Sequence, residues 1–155
     1  MAEVEWREHV QQQWRVTLPV GVTGGVVAHT NPELTTIALY RGWVDDDAMY
    51  ASVATRPRTH SSLRAEARQL SRHFSGGPVE GDETPVRGSR GARRVDGLMD
   101  IEEGYGDPPD WTERVTCVVA ALGPHEVAVL TLRRHPSADL AAVVDQVVSS
   151  FGLLR

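Results

Sequence analysis

The sequence predicts an α+β fold: a single domain of mostly antiparallel β-sheet flanked by a middle helix and a C-terminal helix. Three observations predict it. Apolar and polar residues alternate with period two over several short segments, the signature of half-buried strands. Two segments, 63–74 and 140–151, switch to helical spacing. The chain has 155 residues, 41% hydrophobic and 24% charged, enough for one packed core without staples. Residues 1–155 read as one unit, with 1–13 polar and peripheral or mobile.

Trp14-Arg15-Val16-Thr17-Leu18 alternates and reads as the first strand. Pro19 and Gly21 close it, Gly24-Gly25 marks another turn, and a short strand follows over 26–29. After an Asn31-Pro32 turn, the β-branched run 34–41 reads as a strand. Gly42 to Asp47 reads as a turn into an antiparallel neighbour over 50–56. The period then changes. Leu63, Ala67, Leu70 and Phe74 fall at i, i+4, i+7 and i+11, on one helix face. Ser61 or Ser62 caps that helix by accepting an orphan backbone N–H, and Gly76-Gly77 stops it.

A Gly-rich loop over 77–92 leads to a strand over 92–103 with a bulge or bend at Gly97. A second loop covers 104–110. The valine-rich runs 113–122 and 126–133 are the strongest strands, joined as a hairpin by Gly123-Pro124-His125. Leu140, Val143, Val144, Val147, Val148 and Phe151 then line one face of the closing helix. Ser137 reads as its N-cap and Gly152 as its end. Valine is a mediocre helix former, so packing on the sheet must hold this helix.

The net charge of −5 argues against general nucleic-acid or anionic-membrane binding. No apolar run approaches the roughly 20 residues of a spanning helix. The opening Met1-Ala2-Glu3-Val4-Glu5-Trp6 lacks a basic start and an apolar stretch, so the expectation is a cytoplasmic protein. All sixteen basic residues are arginine, which reads as GC-rich coding bias and removes any lysine-based mechanism. Between Arg56 and Arg94 nine arginines face four acids, whereas the rest of the chain is strongly acidic. On the middle helix Arg64, Arg68 and Arg72 form a stripe opposite the apolar face. Like charges at that spacing repel by a few tenths of a kcal/mol per pair, a cost small enough to be tolerated, so the stripe reads either as an ordinary solvated surface or as a face for an acidic partner or a second copy.

Little points to catalysis. Cys117 sits among Val115, Val118 and Val119, and apolar burial makes a thiol inert. A single cysteine also excludes an internal disulfide or a Cys-rich zinc site. The six histidines show no H-x-x-x-H or H-E-x-x-H pair. Asp45-Asp46-Asp47 lacks the calcium-loop pattern and reads as a solvated turn; Asp100, Glu102 and Glu103 show no paired-carboxylate site. No G-x-S-x-G or G-x-G-x-x-G fingerprint occurs. No metal and no cofactor are expected. Trp43 and Trp111 sit beside Gly, Asp and Pro in loops, where an aromatic residue either packs over a sheet end or serves recognition.

The order of elements carries a resemblance. Leu18-Pro19-x-Gly21 follows the early strand. An amphipathic helix, a long loop, Arg94-Val95-Asp96-Gly97 and the hairpin strand Val129-Leu130-Thr131-Leu132 come next. The closing helix ends Asp145-Gln146-Val147-Val148-Ser149-Ser150-Phe151. Over roughly residues 14–155 this layout resembles the PsbP-like superfamily. That group includes photosystem accessory subunits, Ran-GTPase-binding proteins and small actinobacterial accessory proteins. The resemblance implies an antiparallel sheet flanked by helices and a binding or assembly role without catalysis; none of the family's docking residues carries over. The expectation is a non-catalytic domain that binds a protein partner or itself, with Arg64, Arg68, Arg72, Trp43 and Trp111 as the contact residues. The alternative is a small-molecule binder or minor enzyme with a pocket between the sheet and the C-terminal helix.

Overall fold

The computed structural model describes residues 4–75, 81–101 and 111–154. In chain order these form β1 (Trp6–Val10), β2 (Trp14–Pro19), β3 (Val22–Val26), β4 (Thr36–Val44), β5 (Asp47–Pro57) and α1 (Leu63–Ser71). Then come β6 (Asp82–Glu83), β7 (Ala92–Ile101), β8 (Trp111–Ala121), β9 (Glu126–Arg134), α2 (Ala141–Ser150) and β10 (Gly152–Leu153). Seven strands make one antiparallel sheet in the order β3-β4-β5-β9-β8-β7-β6. A small antiparallel sheet, β1-β2-β10, lies apart from it. The α+β class, the antiparallel sheet and both helices agree with the sequence reading.

Central strands β8 and β9 are apolar at successive positions, so both faces of the large sheet must be covered. On one face Val118, Ala128, Leu130 and Leu132, with Tyr40, Met49 and Val53, pack under Trp14, Val16 and Leu18 of β2 and under α2. Trp14 meets Tyr40 edge to face, with ring centroids 6.4 Å apart. On the other face Val95, Val115, Cys117, Val119, Val127 and Val129 pack under Leu63, Ala67 and Leu70 of α1 and under Phe74.

Several boundaries differ from the sequence reading, and glycine explains three of them. Gly42 lies inside β4, where a Cβ would stand 1.8 Å from the Gly21 carbonyl oxygen. It permits two backbones to approach and does not turn the chain. The turn between β4 and β5 shrinks to Asp45-Asp46, with Asp45 in the left-handed region at φ 55°; Trp43 is therefore a strand residue. Gly24 likewise lies within β3, where a Cβ would meet the Leu39 carbonyl oxygen at 1.9 Å. At Gly97 the β7–β8 register runs unbroken through Gly97↔Val115, without a bulge. The missing side chain makes room for Phe74, whose ring carbon Cδ2 would be 2.3 Å from a Cβ.

The ends of the chain and of the helices also differ. Residues 6–10, read as peripheral, form the edge strand β1, paired with β2 from Trp6↔Pro19 to Val10↔Arg15. In the 77–92 loop, Asp82 and Glu83 pair with β7 as β6. Ser62 is the N-cap of α1, accepting from the Ala65 N–H at 3.1 Å. The helix stops with Arg72 as its C-cap, ahead of Gly76-Gly77, which lie outside the described residues. Phe74 is buried just beyond it. The cap of α2 is Leu140, with no side-chain bond. Ser137 is engaged elsewhere, its N–H donating to His135 Nδ1 at 3.1 Å. Packing and two polar ties hold α2 instead. Arg94 donates to Asp145 at 2.9 Å, and the Thr17 N–H donates to Ser150 Oγ at 2.8 Å.

Helix α1 is anchored by a buried carboxylate. Glu66, fully enclosed, accepts from Arg56 Nη2 at 2.7 Å and from the Thr59 and His60 N–H groups at 2.8 and 2.9 Å. Burial alone would raise its pKa, but these donors and the Arg56 charge outweigh it and hold the carboxyl below its ordinary value. Among the described residues no helix is long and apolar enough to cross a membrane.

Two stability predictions arise from this packing. Phe151, only 1% exposed, is expected to cost about 3–5 kcal/mol when changed to Ala, read from urea melts; a loss under about 1 kcal/mol would mean that the closing helix is undocked. The lowered pKa of Glu66 makes its stabilisation complete above the unfolded value of about 4.3 and lost as pH falls through the lower folded value. Glu66→Gln is expected to be less stable than the parent at pH 7, with the gap narrowing in acid melts as pH falls below about 4.3.

Candidate functional site

On the face that carries α1, the helix packs over β7 and β8. It has nine residues, so it is about 14 Å long and about 10 Å wide. Strands stand about 4.8 Å apart, so such a helix covers two or three of them. Among the described residues, nothing covers the half of this face built from β3, β4, β5 and the end of β9.

The strand registers decide what that half displays. Thr23, Arg41, Tyr50 and Arg133 form one cross-strand row, and Gly25, Leu39, Ser52 and Thr131 form the next. All of these residues except Gly25 border a recess of about 530 Å³. Trp43, one step further along β4 on the same face, is 61% exposed; Leu39 is 48% and Tyr50 40% exposed. The Arg133 guanidinium lies over the Tyr50 ring, 5.0 Å from its centroid. Its Nη2 is 3.5 Å from Glu113 Oε1, and its Nε is buried without a hydrogen-bond partner. Arg41 is exposed and has no ion pair among the described residues.

The structure separates the contact residues expected from sequence. Trp43 joins Leu39, Arg41 and Tyr50 on the open half-face. Arg64, Arg68 and Arg72 are exposed on α1, over the other half. Arg64 borders a second, shallower recess of about 960 Å³ with Arg58, Arg90 and Arg93, where Glu83 is the one acidic residue on the described wall. Trp111 begins β8, but its side chain lies outside the described residues. Sequence reasoning did not single out Leu39, Arg41, Tyr50 or Arg133. Their alternation placed them on strands, but only the topology shows that no helix lies over them.

The site offers binding groups, and the described residues assemble little that is reactive. Burial pushes the Cys117 thiol up to about 11, and its sulfur contacts Thr131 Oγ1 at 3.7 Å. No three His, Cys, Asp or Glu side chains come together among the described residues to hold a metal. Asp45 and Asp46 form the hairpin turn, while Glu102 and Glu103 lie outside the described residues. The space between the large sheet and α2 is filled by Val144, Val147, Val148 and Phe151, each 4% exposed or less. The 530 Å³ recess is thus on the face opposite α2. No known family model matches the chain, and no curated protein matches it.

The environment of Cys117 is directly testable. In native protein at pH 8 the thiol is expected to react with Ellman's reagent only as fast as the chain opens, and at once in urea; rapid native labelling would show an accessible thiolate.

Proposed function

We propose that the chain is a non-catalytic, cytoplasmic accessory domain that binds a protein partner on the uncovered half of its large sheet, a role in keeping with its resemblance to PsbP-like proteins. The observation that carries this reading is the exposure of Leu39, Trp43 and Tyr50 on the sheet face that also carries Arg41 and Arg133. Solvated sheet faces normally alternate to polar residues, and clustered apolar exposure marks an interaction surface. Aromatic residues and arginine are also the types that dominate interface energetics. The acidic balance of the chain disfavours nucleic acid as the partner.

A second reading, a small anionic ligand in the recess, draws on the unpartnered Arg133 Nε and on the recess volume of about 530 Å³. Small-molecule sites fall at roughly 300–1,000 Å³. Native mass spectrometry that finds a bound small anion, lost in Arg133→Gln, would favour this reading over the first.

The experiment for the partner reading is affinity capture from the native host with the parent chain and a Trp43→Ala, Leu39→Ser double variant. Both side chains are exposed, so the melt is expected to shift by no more than about 1 kcal/mol. Capture is expected to fall at least tenfold, since an aromatic contact of this kind is worth about 2 kcal/mol or more. Equal capture by both proteins would overturn the reading.

A further inference from the structure

The open edges of the two sheets are not alike. Edge strand β6 has two residues, both acidic, and edge strand β1 carries Arg7 and Glu8. Short length and charge are the usual devices that keep an edge from pairing with another chain. Edge strand β3, Val22-Thr23-Gly24-Gly25-Val26, has no charge and no proline.

Its free hydrogen-bonding groups can be located. The Trp43 N–H donates to the Gly21 carbonyl at 3.2 Å, and the Val27 N–H donates to the Ile37 carbonyl at 3.0 Å. The odd-numbered residues of this stretch therefore face β4. The backbone groups of Gly24 and Val26 point away from the sheet and have no partner among the described residues. Val26 and Val27 beside them are 54% and 38% exposed.

The same edge is the low wall of the recess. Thr23 and Gly24 line it, and a Cβ at Gly25 would meet nothing within 4 Å. A side chain arriving from outside β3 can cross over Gly25 to Leu39, or over Thr23 to Arg41, which are their cross-strand partners.

Resting on the docking reading above, we propose that the partner supplies an extended segment that adds as a further strand along β3, sending an acidic side chain across Thr23 to Arg41 and an apolar one across Gly25 onto Leu39. Main-chain bonds to Gly24 and Val26 supply attachment, and the alternate side chains supply selectivity. The charge of the recess selects this occupant over a second copy of the chain. Strand β3 itself holds no carboxylate to offer Arg41.

The probe is a blocked nine-residue peptide alternating Glu with Val and Thr, titrated into the isotope-labelled full chain. Saturation is expected to slow hydrogen exchange at the Gly24 and Val26 amides at least tenfold. N-methylating the peptide amides that face β3 is expected to weaken binding at least tenfold, as are Arg41→Glu in the protein and Lys for Glu in the peptide. Absence of binding up to millimolar peptide overturns the proposal. Binding that depends on Trp43 but is indifferent to N-methylation and leaves the β3 amides unprotected overturns strand addition while docking on the half-face stands. Partner capture indifferent to Trp43 and Leu39 removes the docking reading itself. Protection of Gly24 and Val26 without peptide, together with a dimer in sedimentation equilibrium, assigns the edge to a second copy and also overturns it.

Discussion

The burial of β8 and β9 on both faces governs the layering of this molecule. Val118 and Leu130 require one apolar cover, and their neighbours Val119 and Val129 require another. The two covers are unequal. Helix α2 and the β1-β2-β10 sheet make a broad layer that reaches across β4, β5, β9 and β8. Helix α1 is a narrow one, tied down by the enclosed Glu66 carboxylate. An antiparallel sheet tolerates water on part of one face, and the surplus width beyond α1 is where Leu39, Arg41, Tyr50 and Arg133 emerge. The candidate site is thus a by-product of cover size.

Charge follows a similar logic. The arginine-rich middle of the chain is distributed among separate tasks once folded. Arg56 neutralises Glu66, Arg94 ties α2 through Asp145, and Arg58, Arg90 and Arg93 gather beside the start of α1. The two guanidiniums of the recess, Arg41 and Arg133, come from outside that segment. Linear charge density therefore pointed to one basic surface, while strand register built another.

The legible parts of the fold were those whose periodicity reports directly on burial. The β8–β9 hairpin and the valine face of α2 stand out because nearly every apolar residue at the expected spacing is enclosed, with Val143 half-buried. Strand β1 did not, because Trp6-Arg7-Glu8-His9 takes its conformation from pairing with β2 and not from its own pattern. Gly42 and Gly97 misled in one way: each marks a close approach that only the tertiary arrangement reveals. Of the candidate site, Trp43 was visible as an aromatic residue among turn formers. Leu39 and Tyr50 looked like ordinary strand residues, since the length and placement of α1, which leave them uncovered, are properties of the assembled sheet.

Strand β2 is hydrogen-bonded on one side to β1 and on the other to β10, the pair Leu153↔Trp14 bridging almost the whole chain. Contacts between residues so distant in sequence form late. A nascent polypeptide emerging from the ribosome cannot seal this layer until β10 has emerged. Until then Trp14, Val16 and Leu18 remain available to the surroundings, including chaperones. Closing this layer is therefore a stitch between an early strand and the last one described, made only once β10 has emerged.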